Sequence, residues 1–248
     1  MAETRKPVLI VVGGPNGSGK STLTASKHLP DYPVIDPDAI ARTLSPEDPG
    51  KAAVSAGREA MRQQNDAIAG KASFIVETTL SGNQPLRLME KAHDAGYEVE
   101  LHYTRVGTPE LNIKRIEARV ADGGHHIPDE DVRRRYHRSL DNLPQAIAIA
   151  DKTVLYDNSG ARYQVVATLS KDQFGFAEGA PRWAARAAYE AACIQYQQAN
   201  SPEEYDQALE RQAEAAVAAG AMQKDELVEI RKQAQERNRD LDDDLDLD

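Results

Sequence analysis

A chain of 248 residues has room for one full α/β domain and an appendage, and its formal net charge of −10 argues against an undirected nucleic-acid binder, which is usually basic. Its one cysteine, Cys193, excludes an internal disulfide and points to a reducing compartment. No apolar stretch approaches the ~20 residues of a membrane span, and 1–6 lacks the apolar region of a signal peptide, so a cytoplasmic location is expected.

The first signal along the chain is a near-continuous apolar run at 7–12, which predicts a buried parallel strand. Directly behind it, Gly14-Pro15-Asn16-Gly17-Ser18-Gly19-Lys20-Ser21 satisfies the phosphate-loop pattern G-x-x-x-x-G-K-[ST]. The segment 22–29 then predicts a first helix ending at Pro30. A strand, a glycine-rich loop and a helix start in that order aim several backbone N–H groups at one anion. Gly14, Asn16, Gly17, Ser18, Gly19, Lys20, Ser21 and Thr22 are therefore expected to hold the phosphates of ATP. Within that set Lys20 reaches the β- and γ-phosphates, and the Ser21 hydroxyl holds Mg²⁺.

Further strands are predicted at 32–35, 73–77, 97–103 and 153–156, with an edge strand at 164–169. Helices are predicted at 51–69, 84–95, 109–121 and 128–149. Gly96 ends the second of these as a C′ residue, and Pro128 with Asp129, Glu130 and Asp131 opens the last. This alternation implies an α/β fold, a P-loop kinase-type parallel sheet with helices on both faces, over 1–174. The segment 175–181 reads as a linker into an Ala-, Gln- and Glu-rich helical extension reaching 239. There Ser201-Pro202-Glu203-Glu204 starts a helix whose Tyr205, Ala208, Leu209, Ala213 and Ala216 share one face. That thin, alanine-rich face is expected to pack on the first domain or on a partner, and the acidic tail 240–248 is expected to be disordered.

Many enzymes share a phosphate loop, so the discriminating chemistry must lie elsewhere. Residues at the carboxyl ends of parallel strands face the ligand crevice. Asp36 and Asp38 follow the second strand, where a carboxylate can accept the proton of an attacking hydroxyl. Asp38 is the preferred base; Asp36 is the reserve and is equally placed to cap a helix. Glu77, Thr78 and Thr79 end the third strand and suit hydrogen bonding to a polyol or sugar, or an indirect hold on Mg²⁺ through water. Arg115, Arg119 and the triplet Arg133-Arg134-Arg135 flank a glycine hinge at Gly123-Gly124, the makings of a lid that neutralises charge on a transferring phosphoryl group. The triplet also stands four residues after Asp129, Glu130 and Asp131, so part of it serves i,i+4 ion pairs. His125 and His126 are adjacent and have no ligand cluster around them, so zinc is not expected.

Taken together, GPNGSGKST, I-D-P-D-A-I-A-R, F-I-V-E-T-T-L-S-G, A-G-Y-E-V, R-x-x-x-R-x-x-x-G-G-H and R-R-R-Y resemble the zeta-toxin family. The likeness is closer to its branch described as predicted ABC-type ATPases, and it covers about 5–170. The resemblance implies a P-loop kinase that phosphorylates a sugar hydroxyl of UDP-N-acetylglucosamine, blocks cell-wall synthesis and is restrained by an antitoxin protein. It also implies that Lys20 binds phosphate, Ser21 binds Mg²⁺ and Asp38 is the base. Asp36, Glu77 and Thr79 would then face the substrate, and Arg115 or Arg119 would stabilise the transferring group. The chain departs from the better-known members in having Glu77-Thr78-Thr79 for E-G-T, and Gly124-His125-His126 where an arginine precedes the last long helix. A second catalytic arginine is accordingly expected from Arg133 or Arg134. The alternatives are a polynucleotide or nucleoside kinase, which the acidic charge disfavours, and a non-kinase P-loop ATPase or switch. The latter would need an aspartate-ended apolar strand or a transporter signature loop; only Asp157-Asn158, after the 153–156 strand, points that way.

Overall fold

Strand side chains alternate between the two faces of a sheet, and the first strand shows what this chain does with that rule. In the computed structural model, which describes residues 6–124, 126–170, 174–197 and 202–232, β1 (Val8–Gly13) sends Leu9 and Val11 to one apolar core and Ile10 and Val12 to another. All four are fully buried, as a central parallel strand requires. The chain continues through α1 (Lys20–Thr24), β2 (Val34–Ile35), α2 (Pro37–Leu44), α3 (Pro49–Ala69), β3 (Phe74–Thr78), α4 (Gln84–Asp94) and β4 (Glu98–Arg105). It then runs through α5 (Pro109–Ala121), α6 (Asp129–Asp141), α7 (Leu143–Ile149), β5 (Lys152–Asp157), β6 (Gln164–Ser170), β7 (Phe174–Phe176), α8 (Arg182–Gln197) and α9 (Pro202–Ala218). A further helix occupies 224–232.

The seven-stranded sheet has the order β2-β3-β1-β4-β5-β6-β7, parallel through β5 and antiparallel for the last two strands. Since β1 lies between β3 and β4, the loop that leaves it opens at the middle of the carboxyl edge. The larger core packs side chains of α3, α4, α7 and α8 against β1, β3 and β4. On the other face, Leu23 and Leu29 cover Ile10, Val12, Ile75, Val154 and Tyr156.

Three expectations change. The first helix stops at Thr24 rather than 29, where Ser26 Oγ donates to the Leu23 carbonyl at 2.6 Å and competes with the helical ladder. The expected helix 128–149 is two helices meeting at Asn142, because Pro144 lacks the N–H a continuous helix would need. The strand at 164–170 is not the edge, since β7 pairs outside it and takes up part of the expected linker. Gly96 does close α4 as foreseen, at φ +82°, with its N–H on the His93 carbonyl.

The extension packs on the sheet domain through α8. Ala184, Ala187, Ala188 and Ala191 enter the main core, while Ala185, Tyr189, Ala192 and Cys193 join Leu209, Ala216, Met222, Leu227 and Ile230 in a second one. Ser201, His125, the side chains of Tyr205 and Ala208, and the acidic tail 240–248 lie outside the described residues. Among the described residues no helix is long and apolar enough to cross a membrane.

The buried Tyr97 hydroxyl lies 2.8 Å from the Ala67 carbonyl and 2.9 Å from that of Ala72, tying the end of α3 to the start of β4. Tyr97→Phe leaves those buried acceptors short of a donor and should cost about 1–2 kcal/mol. Urea unfolding measures this, and an unchanged midpoint would mean that the hydroxyl contributes nothing.

Candidate active site

The loop after β1 bends back on itself with Gly14, Gly17 and Gly19 at φ +144°, +75° and +100°. A side chain is excluded at these positions by space as well as by conformation. A Cβ on Gly14 would strike the Thr104 carbonyl, one on Gly17 would lie 2.8 Å from the Asn112 carbonyl, and one on Gly19 would strike the Tyr163 hydroxyl. Lys20 opens α1 and donates to the Gly14 and Pro15 carbonyls at 2.8 and 3.0 Å. Next to it, Ser21 Oγ donates to Glu77 Oε2 at 2.9 Å, which joins the phosphate loop to the end of β3.

These groups line a cleft of about 580 Å³. Asn16, Gly17, Gly19, Lys20, Ser21 and Thr22 form its floor, while Gly14 and Ser18 are buried within the loop beneath. One wall comes from the start of α2, where Asp36 is the N-cap. Its carboxylate accepts from the Asp38 and Ala39 N–H groups at 2.9 and 3.2 Å and lies 3.6 Å from Arg42. Asp38 stands exposed in the first turn of the same helix, with its carboxylate outside that cap. Glu77, Thr78, Thr79 and Ser81 continue this wall, and the Thr79 and Ser81 hydroxyls are 2.8 Å apart.

The opposite wall carries the arginines. Arg115 and Arg119 come from α5, with Arg115 Nη2 donating to the Asn158 carbonyl at 2.7 Å. From the triplet, Arg135 lines the cleft and reaches Asn16 Oδ1 at 3.4 Å. Arg134, one of the two expected, is not among the lining residues; its guanidinium pairs with Asp131 at 2.7 Å, one turn back along α6. Arg133 pairs with Glu110 at 3.5 Å. A helix turns successive residues by about 100°, so three adjacent arginines cannot all face one cleft.

With this geometry in place, residues 1–164 match the family model described as Zeta toxin. The chain belongs to the Zeta toxin family. An uncharacterized protein of Haemophilus influenzae is 42% identical over 123 residues, which is 50% of this chain and 88% of that protein. Among solved structures, a chain from the PezAT chromosomal toxin-antitoxin system of Streptococcus pneumoniae superposes with a TM-score of 0.54 at 18% identity, over 86% of this chain and 88% of the other. A chain of the AvrRxo1-ORF1:-ORF2 complex with ATP gives 0.59 at 17% identity, over 81% of this chain and 65% of that one. At these identities the likeness is one of fold, a P-loop kinase fold with a mostly parallel sheet.

In this Zeta toxin family member the cleft holds ionisable groups against their preference. Burial pulls the Lys20 ammonium below the usual lysine range, although Glu77, Asp38 and Asp36 favour its charge. Burial likewise pushes the carboxyls of Glu77 and Asp36 above the usual range, and hydrogen bonding from the Ser21 hydroxyl works against this at Glu77. Ser18 Oγ is buried without a hydrogen-bond partner. A phosphate chain accompanied by Mg²⁺ fits that pattern: the anion suits Lys20 and the loop N–H groups, and the hard oxygens of Ser21 and Glu77 suit the cation.

Several residues shape the site without being assigned to it from the sequence, where Asn158 stands only as a sign of a switch-type ATPase. Thr104 and Asn158 brace the Ser18 carbonyl at 3.2 and 2.9 Å, and both lie at the carboxyl ends of β4 and β5. The rule that singled out Asp36 and Glu77 would have found them. Asn112, which donates to the Asn16 carbonyl, and Tyr163, whose hydroxyl meets the Gly19 carbonyl at 2.5 Å, carry no local signal.

Because its folded pKa is raised, Glu77 favours folding at acid pH and loses that contribution as pH rises through its unfolded value toward the folded one. Glu77→Gln removes the titration. The variant should gain stability relative to the unligated wild type from about pH 4 toward neutrality, while losing part of the thermal stabilisation by Mg²⁺-nucleotide. Thermal melts across that range check this, and a stability difference independent of pH would contradict it.

Proposed function

We propose that this protein transfers the terminal phosphoryl group of ATP to a hydroxyl of a small metabolite, a nucleotide sugar such as UDP-N-acetylglucosamine. In this reading the chain acts in the cytoplasm as a toxin, restrained by an antitoxin protein. The observation that carries the reading is the convergence of Lys20, the exposed Asp38 and the arginines Arg115, Arg119 and Arg135 on one cleft from three directions. Membership of the Zeta toxin family supports it.

Lys20 and the loop N–H groups hold the phosphates, and Thr79, Ser81 and Glu77 orient the acceptor. Asp38 accepts the proton of the acceptor hydroxyl as its oxygen bonds to the γ-phosphorus. The bond from that phosphorus to the bridging oxygen breaks, and ADP leaves. Ser21, and Glu77 through water, would hold Mg²⁺, which would supply positive charge against the phosphate oxygens. Lys20, Arg115 and Arg119 stabilise the charge spread over the equatorial oxygens, and Arg135 takes the place expected of Arg134.

Incubation with ATP, Mg²⁺ and UDP-N-acetylglucosamine should yield a phosphorylated sugar nucleotide, detectable by mass spectrometry. Asp38→Asn should lower transfer by at least about 10²-fold while sparing nucleotide affinity, and Lys20→Ala should impair both. Growth arrest on induction should be relieved by Lys20→Ala. ATP turnover that is the same with and without any acceptor would overturn the kinase assignment, and full transfer by Asp38→Asn would remove Asp38 as the base.

A further inference from the structure

Behind the helix that presents Arg135, the C-terminal extension reaches β4, the strand on which that helix is seated. Trp183, the one tryptophan of the chain, lies in the first turn of α8. Its ring sits 5.2 Å from the Arg105 guanidinium and 6.1 Å from the Tyr103 ring. Those two residues are spaced by two along β4 and so share a face. Both hold α6. The Tyr103 hydroxyl meets Ser139 Oγ at 3.0 Å, and Arg105 Nε donates to the Tyr136 hydroxyl at 2.9 Å. The Arg105 guanidinium also lies 5.4 Å from the centre of the Tyr136 ring, so it is stacked by one aromatic ring from α6 and another from the extension. Tyr136 in turn donates to the Gly107 carbonyl at 2.8 Å, and its chain neighbour is Arg135 with its reach to Asn16.

The indole Nε1 is buried without a hydrogen-bond partner. The ring is therefore held by its faces and edges, not by its N–H. Alanine at this position would leave Arg105 stacked on one side only and open a void behind Tyr103.

We propose that Trp183 is a positioning residue: through Arg105 and Tyr103 it fixes the seat of α6, and with it the reach of Arg135 to the phosphate loop. The inference rests on the cleft being a phosphoryl-transfer site. It makes the helical extension part of the catalytic unit.

The full chain carries its own reporter, since tryptophan emission comes from Trp183 alone. ADP should change that emission saturably, with a midpoint equal to the Kd from calorimetry, and Arg135→Ala should lose most of the change at saturating ADP. In steady-state assays Trp183→Ala should lower kcat by roughly 3- to 30-fold with a smaller effect on the KM for ATP. Trp183→Phe, which keeps an aromatic face and drops only an unpaired N–H, should recover most of that loss. Arg105→Lys keeps the charge but not the planar stack, and should reproduce the kcat defect if Trp183→Ala does not fold. Emission indifferent to saturating ADP, or wild-type kcat in folded Trp183→Ala, would overturn the proposal. A protein that binds ADP yet phosphorylates no acceptor would instead refute the kinase reading, and the emission titration would still decide the coupling.

Discussion

A loop that turns its N–H groups inward turns its carbonyls outward, and a buried carbonyl needs a donor. Much of the site follows from that requirement. Lys20 takes the Gly14 and Pro15 carbonyls, Asn112 that of Asn16, Thr104 and Asn158 that of Ser18, and Tyr163 that of Gly19. The donors come from β4, α5, the turn after β5 and the residue before β6, so distant stretches of chain converge on one short loop. Bracing and chemistry also share a helix. Asn112, Arg115 and Arg119 lie three and four residues apart on one face of α5, so the side chain that secures the loop sets the position of the arginines above it.

The unligated cleft is electrostatically uncomfortable. Lys20 is disfavoured as an ammonium, and Glu77 and Asp36 are disfavoured as carboxylates, each because water has been excluded. Groups held in this way gain most from a ligand of matching charge, because the desolvation that strengthens the new interaction is already present in the fold. Nucleotide binding and folding stability are thereby coupled. The same burial that makes the site receptive to phosphate makes the unligated protein less stable than a neutral cleft would.

The family match ends at residue 164, yet the sheet and core do not. β6 and β7 extend the sheet, and α8 lays one alanine face on the main core and another on the extension's own cluster. Alanine on both faces lets the helix approach closely on each side, which is how apolar stripes too narrow for an independent domain still bury surface. Trp183, a large side chain among these alanines, stands where the extension meets the strand behind α6.

Features that depend on neighbours in the chain were legible from the residues alone. The apolar run of β1, the glycines of the phosphate loop, the cap at Asp36, the acidic end of β3 and the C′ glycine at Gly96 are each specified within a few positions, and each stands where the pattern put it. The matched family needed no more than that local spacing. Features that depend on which face of an element meets which distant segment were not legible. The three adjacent arginines of α6 are chemically equivalent in sequence, and only the packing of Tyr136 and Val132 into the fold turns Arg135 rather than Arg134 to the cleft. Asn112, Tyr163 and Trp183 carry no local mark because their partners lie 96, 144 and 78 positions away. Local chain chemistry decided that phosphate would be bound, and tertiary packing decided which arginines face the cleft and what stands behind them.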